Sequence, residues 1–250
     1  MEVKDDIVAE VRDTIEQMCK CGTVDVSLLQ TLAGQANCIA GLLHTWRPFV
    51  NMLYGPIYDM RSRCPFNGQK VWRCALDVPL TWIRAFLQGL RGTLSRTYYL
   101  SDYLGEGEQH SVTIDASPLR LGGWLMIDGV IKECFTEPIS ELDQKILGCK
   151  KGGSEGQQLW EALAVLVALR LWSKYWQGKR LQLRVRGDNV SALIMLVKMK
   201  STGDGMGLLA RELALDIAES VYSPTVAEHL PGTTNDIADW LSRLDQYGGS

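Results

Sequence analysis

The sequence lacks the features of a membrane-spanning or secreted chain. No hydrophobic run reaches the ~18–20 residues that a transmembrane helix requires, so no membrane span is expected. The first residues, MEVKDDIVAEVRD, are acidic and polar, which is not the pattern of a secretory signal. The seven cysteines show no C-x-x-C spacing, and a single lysine separates Cys19 from Cys21. We interpret them as reduced thiols of an intracellular protein, in the cytoplasm or the nucleus.

The sequence also lacks an excess of positive charge. It has 26 lysines and arginines against 29 aspartates and glutamates, which gives a net charge of −3. A protein that binds nucleic acid only by neutralising phosphates is usually basic, so that class is excluded. Any contact with nucleic acid must therefore come from local basic patches or from metal ions.

The first part of the chain, residues 1–105, has the hydrophobic periodicity of helices. Helices are predicted for residues 3–18, 25–46, 48–60 and 78–92. The segment RSRCPFNGQK is rich in polar and turn-forming residues and is predicted to be a loop. We therefore expect a mostly helical region here.

From residue 106 to residue 250 the pattern changes to strands followed by alternating helices and strands. HSVTIDAS alternates as a strand, and GGWLMIDGVIKECF is two strands joined by Asp128-Gly129, which favours a type I′ turn. The full order is β-β-β-α-β-α-α-β-α. A strand meander followed by strands and helices predicts an α/β domain with a mixed five-stranded sheet and helices on its faces.

Four carboxylates occupy similar places in this predicted sheet. Asp115 lies in the first strand, Glu161 early in an apolar helix, Asp188 at the end of the next strand, and Asp239 in the last helix. Ligands of open α/β sheets bind at the carboxyl ends of parallel strands, which is where Asp188 lies. Glu161 precedes ALAVLVAL, where a carboxylate is costly to bury unless it is paired or bound to metal.

Carboxylates that cluster repel one another unless cations neutralise them. Sites made only of oxygen ligands suit Mg²⁺ or Mn²⁺, and two such ions together favour in-line displacement at phosphorus. The order of the four acids therefore favours a metal site over four unrelated residues.

Each acid also has an ordinary structural interpretation. The alternatives are a strand-end turn for Asp115, a helix dipole that stabilises Glu161, and a helix cap formed by Asp188 with Asn189. Asp239 has the alternative of a solvated surface residue, because Ile237 and Trp240 recur at helical spacing and are expected to face the core instead.

Several stretches of the chain are characteristic of one family. They are TIDASPLRLGGWL, QQLWEALAVLVALRLW, RVRGDNVSALIML and AEHLPGTTNDIADWLSRL. Together they resemble the ribonuclease H domain of retrotransposon polyproteins of the DIRS and Gypsy kinds. Upstream, LLQTLAGQANCIAGLLHTWRPFVNMLY resembles the thumb and connection segment that follows the polymerase palm in the same polyproteins.

The resemblance implies an RNase H-like fold and an endonuclease that hydrolyses the RNA strand of RNA–DNA hybrids, leaving a 3′-hydroxyl and a 5′-phosphate. Asp115, Glu161, Asp188 and Asp239 would then hold two Mg²⁺ or Mn²⁺ ions. His229 stands where the family often has a histidine near the site, and its alternative is a surface loop residue.

Basic residues cluster in sequence around the Asp188 strand and the helices that follow it. We expect them to contact phosphates of the hybrid, and the alternative is a solvated basic face. They are Arg184, Arg186, Lys198, Lys200 and Arg211, with Lys179 and Arg180 just upstream.

The chain also departs from the family. Leu119, Arg120 and Leu121 stand where the family has an aromatic-Gly-x-Gly-like turn, and no Tyr-x-Asp-Asp motif is present. The chain is therefore not expected to polymerise by itself, and fingers and palm would come from the same polyprotein or in trans. Two other functions stay open: a catalytically weak or inactive scaffold that binds hybrids, and a transposase or integrase on the same fold. The complete set of four acids favours the nuclease.

Overall fold

The computed structural model describes residues 1–65, 67–98, 100, 104, 106–179, 181–200 and 203–244. Residue 105, at the predicted boundary, lies outside this described part, as do Arg180 and residues 245–250. The chain divides into two compact units, Met1–Tyr98 and Tyr99–Ser250. No helix in the described part is both long enough and apolar enough to cross a membrane.

The first unit is mostly helical, as expected. Its helices are α1 (Asp5–Cys19), α2 (Val26–Leu42), α3 (Arg47–Tyr58) and α4 (Asp77–Leu87). An aromatic cluster ties α3 to α4, with Phe86 5.5 Å from Trp46 and 5.3 Å from Phe49 between ring centroids. The core of this unit is thus built from helix faces whose apolar residues recur at helical spacing.

The prediction of a loop at residues 61–70 is wrong. This part of the chain contributes strands β2 (Arg63–Cys64) and β3 (Asn67–Trp72), which form a small antiparallel sheet with β1 (Thr23–Asp25) in the order β1-β3-β2. Val24 and Val71 lie opposite each other and are both buried. Burial of this pair outweighs the weak strand propensity of the polar residues around it.

The second unit contains a mixed five-stranded sheet. Its strands are β4 (Gln109–Ala116), β5 (Arg120–Ile127), β6 (Val130–Pro138), β7 (Gln182–Gly187) and β8 (Pro224–His229), in the order β6-β5-β4-β7-β8. Strands β4 to β6 form an antiparallel meander, and β7 and β8 run parallel to β4. Asp128 and Gly129, both at positive φ, form the turn between β5 and β6, which agrees with the predicted type I′ turn.

The second unit also contains α-helices. They are α5 (Glu141–Leu147), α6 (Gln157–Leu171), α7 (Val190–Lys198), α8 (Asp204–Ala218) and α9 (Asp236–Ser242). Helix α5 was not predicted. It starts at a capping box in which Ser140 and Asp143 bond each other's backbone N–H, and it ends at Gly148 with φ 66°.

Helices cover both faces of the sheet. Gly122 and Gly123 are consecutive on β5, so they face opposite sides. A Cβ at Gly122 would lie 2.6 Å from Ser242 N of α9, and one at Gly123 would lie 2.7 Å from the ring of Phe135. Phe135 packs in turn on Trp172, directly after α6. The predicted fold class, a mixed five-stranded sheet with helices on both faces after a mostly helical region, is therefore confirmed.

Candidate metal centre

Two carboxylates stand side by side on neighbouring parallel strands. The register pairs Thr113 of β4 with Arg186 of β7. Asp115 follows two residues later on β4, and Asp188 comes directly after β7 ends at Gly187. Asp115 is buried and Asp188 is half-buried. The side chain of Ile114 fills the space over Gly187, since a Cβ there would lie 2.9 Å from Ile114 Cδ1.

Glu161 reaches this pair from α6, and only one of its oxygens is used. Its side chain is 2% exposed, and Oε1 accepts hydrogen bonds from Ala116 N at 3.2 Å and from Gln157 Nε2 at 3.0 Å. Gln157 Nε2 also donates to the carbonyl of Ala116, which joins the helix to the strand. Oε2 is buried and accepts no hydrogen bond from any residue that the structure describes.

The three carboxylates form one group. One oxygen each from Asp115, Glu161 and Asp188 lie within 4.8 Å of one another. Burial raises the pKa of Glu161 to about 9, and the charges of Asp115 and Asp188 add to this effect. Burial also raises the pKa of Asp115 to about 6, although the Ser242 hydroxyl acts against it. Without a cation, Glu161 therefore holds a proton at neutral pH.

The chemistry of this group fits a divalent cation. All three side chains offer carboxylate oxygen, which Mg²⁺ and Mn²⁺ prefer. A buried acceptor without a hydrogen bond, such as Glu161 Oε2, is unfavourable unless a ligand satisfies it. Asp115, Glu161 and Asp188 are thus the residues that would hold a metal.

Asp239, the fourth predicted ligand, lies outside this group of three. Its Oδ1 accepts a hydrogen bond from Arg243 Nε at 2.6 Å, and its side chain is 38% exposed. Its charge nevertheless contributes to the raised pKa of Asp115, so it lies at the edge of the same site.

Helix α9 is fixed to the sheet by residues that were not among the predicted site residues. Ser242 Oγ donates to Asp115 Oδ2 at 2.5 Å, and Asn235 Nδ2 donates to the carbonyl of Ile114 at 3.1 Å. Thr136 Oγ1 of β6 donates to the carbonyl of Leu241 at 2.7 Å. Asn235 and Ser242 both lie in the stretch AEHLPGTTNDIADWLSRL, which also predicted Asp239 as a site residue. The polar residues of this stretch were therefore the signal that could have identified them.

His229 is the last residue of β8 and is exposed. In the register it lies opposite Gly187, and Leu230 N donates to the carbonyl of Gly187 at 2.9 Å. A Cβ at Gly232 in the loop that follows would lie 3.7 Å from Asp188 Oδ2. This loop therefore runs beside Asp188, and a catalytic role for His229 stays a prediction.

The predicted nucleic-acid contacts lie on different elements. Arg184 and Arg186 are on one face of β7, and both donate to Glu228 Oε2 of β8 at 3.0 Å. Lys198 ends α7 and Lys200 follows it, both exposed, whereas Arg211 is half-buried in α8. Their contact with nucleic acid stays a prediction.

Comparison with solved structures finds similarity to two proteins of interest. An RNase H1 from the halophilic archaeon Halobacterium salinarum NRC-1 shares 19% identity at a TM-score of 0.42, over 56% of this chain and 98% of that one. A foamy viral protease-reverse transcriptase dRH, in complex with double-stranded DNA, shares 13% identity at a TM-score of 0.34. That match covers 88% of this chain and only 35% of the viral protein. No family model and no curated protein matches the sequence.

Proposed function

We propose that the second unit is a ribonuclease H that hydrolyses the RNA strand of RNA–DNA hybrids with two Mg²⁺ or Mn²⁺ ions. The observation that carries this proposal is the group formed by Asp115, Glu161 and Asp188, whose ligand oxygens lie within 4.8 Å of one another. Asp239 at the edge of the group would complete the ligand set. A buried cluster of carboxylates stabilises nothing by itself, because its members repel.

The residues of the chain prepare the site in three ways. Hydrogen bonds from Ala116 and Gln157 fix one oxygen of Glu161, so that its second oxygen stays available. The Ser242 hydroxyl fixes the rotamer of Asp115. Arg243 holds Asp239, whose Oδ1 must be shared with or released from this partner before it can act as a ligand. When bound, the ions supply an activated water and neutralise the charge that develops on the leaving oxygen.

His229 is proposed to assist catalysis without binding metal. Its strand ends beside Asp188, because Gly187 and His229 are register partners. An imidazole can transfer a proton near neutral pH, so it is suited to protonate the leaving oxygen or to help the product depart. Neutral imidazole is a poor ligand for Mg²⁺, which argues against direct coordination.

The wider setting follows from the sequence motifs. We propose that the chain is part of, or derived from, a reverse transcriptase of a DIRS- or Gypsy-like retrotransposon, with a first unit like a thumb and connection segment. Its polymerase fingers and palm would be supplied in the same polyprotein or in trans. An intracellular location fits the seven free thiols.

One observation favours a second candidate function, a catalytically weak scaffold that binds hybrids. The ion pair between Asp239 and Arg243, at 2.6 Å, occupies an oxygen of the fourth acid. A fourth carboxylate whose charge Arg243 already neutralises would attract a second ion less strongly than a carboxylate without such a partner.

A cleavage assay on three duplexes tests the nuclease against the scaffold. We expect the chain to cut the RNA strand of an RNA–DNA hybrid when Mg²⁺ is present and to leave RNA–RNA and DNA–DNA duplexes intact. Asp188→Asn keeps the shape of the side chain and removes its charge, so it should abolish cleavage. The control is Asp236→Asn, which removes an exposed acid from the first turn of α9.

The two candidates give different results in this assay. Hybrid binding without cleavage at any Mg²⁺ or Mn²⁺ concentration would identify the scaffold. Undiminished cleavage by Asp188→Asn would show that the carboxylate group is not the catalytic site.

A further inference from the structure

The sheet of the second unit has a cleft on the face that carries Asp115. Side chains on this face of β4 and β7 pair in register, Ser111 with Arg184 and Thr113 with Arg186. Helix α9 packs on this face beside Gly122, at the end of the sheet near the carboxylates. Towards the other end lies a cleft of about 150 Å³, lined among others by Ser111, Arg184 and Arg186.

The cleft has a positive charge that Glu228 only partly neutralises. Arg184 Nη1 and Arg186 Nε each donate to the same carboxylate oxygen, Glu228 Oε2, at 3.0 Å. Two guanidinium groups against one carboxylate leave a net charge of +1. Each guanidinium has five N–H donors and gives one of them to Glu228, so the carboxylate aligns both groups side by side while other donors can reach a ligand.

The floor of the cleft contains a buried hydroxyl without a partner. Ser111 is 6% exposed, and its Oγ makes no hydrogen bond with any described residue. Thr113, the next residue on this face of β4, is 1% exposed, and its Oγ1 also makes no hydrogen bond with any described residue. A buried hydroxyl that makes no hydrogen bond is unfavourable, and an acceptor in the cleft would satisfy that of Ser111.

We propose that this cleft binds one phosphate group through Arg184, Arg186 and Ser111. A phosphodiester offers only acceptor oxygens and inorganic phosphate offers mostly acceptor oxygens, and the two guanidinium groups and the hydroxyl can all donate to them. The phosphate could come from the backbone of a bound hybrid or from free phosphate in solution. The first of these two sources rests on the proposed nuclease function. Thr113, which pairs with Arg186, and Asp115 are two residues apart on one face of β4, about 7 Å along the strand, so a nucleic-acid strand held at the carboxylates can also reach the cleft.

The first test titrates inorganic phosphate into the full chain without divalent metal, followed by calorimetry. We expect Arg184→Gln and Arg186→Gln each to weaken binding about tenfold, which is the loss of a charge-assisted hydrogen bond. Ser111→Ala should weaken binding about threefold, without lowering the melting temperature. Lys132→Gln, the control, removes an exposed positive charge from β6 of the same sheet and should have no effect.

Glu228→Gln separates a phosphate site from a purely structural ion pair. Removing the competing carboxylate raises the charge of the cleft, so phosphate should bind about tenfold more tightly. No phosphate binding by the parent chain, or weaker binding by Glu228→Gln, would overturn the proposal, because the two arginines would then serve only to hold β7 to β8.

The second test measures hybrid affinity in the Asp188→Asn background, where no cleavage is expected. Parallel losses for phosphate and hybrid in Arg186→Gln identify the nucleic-acid backbone as the source. A loss for inorganic phosphate alone identifies free phosphate. Since the first test needs neither metal nor hydrolysis, a failure of the nuclease proposal would leave its result unchanged.

Discussion

The two units of this protein bury different kinds of side chain. In the described part of the chain, the buried residues of the first unit are apolar, and its largest are aromatic or aliphatic. The buried polar and charged residues belong to the second unit, and they include Asp115, Glu161, Asn235 and Ser242. Several of their polar atoms, such as Glu161 Oε2, make no hydrogen bond with described residues.

This difference indicates that the two units are stabilised in different ways. Apolar burial stabilises a unit whether or not a ligand is present. A buried polar atom without a partner lowers stability until a ligand satisfies it. The stability of the first unit should therefore be set mainly by packing, with a loss below about pH 6.5 because burial lowers the pKa of His44 to about 4. The stability of the second unit should depend on pH near neutrality and on metal.

The largest expected effect is on packing in the first unit. Phe86 is 2% exposed and contacts the rings of Trp46, Phe49 and Trp82. Phe86→Ala should lower the free energy of unfolding of this unit by about 3–5 kcal/mol, since it leaves a cavity. Hydrogen exchange resolved by peptide measures each unit separately. The control is Leu90→Ala, at a residue that is 69% exposed. Faster exchange in β4 and α6 as well would break the comparison, because the units would then unfold together.

The next effect concerns His229, an exposed residue of the second unit. His229→Ala should lower the turnover of hybrid cleavage by about 10²-fold, the low end for a positioned acid–base group. Metal binding should persist. The measurement is cleavage rate against Mg²⁺ concentration and pH for both proteins. Equal rates under all conditions would remove His229 from catalysis, and full recovery at high Mg²⁺ would show that it acts through the metal.

A third effect concerns the protonation of the buried carboxylates of the second unit. The pKa of Glu161 is raised to about 9 from its ordinary value of 4.5, so the folded state holds this proton more tightly than the unfolded state does. Its contribution to stability is complete below about pH 4.5 and is lost as pH rises towards 9. Asp115, with a pKa raised to about 6, acts in the same direction over a lower window.

Without metal, the second unit should therefore lose on the order of 2 kcal/mol of stability between pH 6 and pH 8. Glu161→Gln should remove most of this slope, and saturating Mg²⁺ should reduce it in the parent chain. Hydrogen exchange of the β4 and α6 peptides across this pH range provides the measurement. A parent chain whose second unit is equally stable at pH 6 and pH 8 would contradict the raised pKa.

The smallest effect is expected from cutting the chain between the units. The predicted boundary near residue 105 would make the segment from about residue 100 to residue 110 the preferred site of limited proteolysis. The two fragments should keep the exchange rates of the intact chain. Preferred cuts within residues 115–240 would instead indicate one cooperative domain.

Much of the fold of the second unit was predictable from strong local signals, although the alternation of β4 does not match its burial, since every residue of the strand after Gln109 is buried. Helix α6 and the turn at Asp128-Gly129 have strong local signals, and both are present. The β2–β3 region was not predicted, because strands of two and six residues with polar sequences are determined by their partner, β1, rather than by their own propensity. Helix α5 spans only 7 residues, too short for a clear period.

The candidate site was predictable in part. The placement of Asp115 in a predicted strand, of Glu161 early in an apolar helix and of Asp188 at the end of the next strand was sufficient to predict their convergence. The expected core positions of Ile237 and Trp240 were wrong, since these side chains are 46% and 53% exposed. Helix α9 instead packs through Ala238, Leu241 and Ser242, because its backbone lies directly against Gly122 of β5. A glycine that is distant in sequence does not change the hydrophobic periodicity of the helix, so the buried face could not be predicted from the helix alone.

That glycine has a consequence for how the site responds to change. At Gly122 a Cβ would lie 2.6 Å from Ser242 N and 2.9 Å from the carbonyl oxygen of Ala238, so backbone rests on backbone. Backbone atoms cannot rotate aside as a long side chain can. A single methyl group at this position would displace helix α9 as a rigid body. The hydroxyl of Ser242 and the carboxylate of Asp239, which α9 carries, would then both move away from Asp115. The alignment of Ser242 and Asp239 with Asp115 is thus set by a residue that has no side chain.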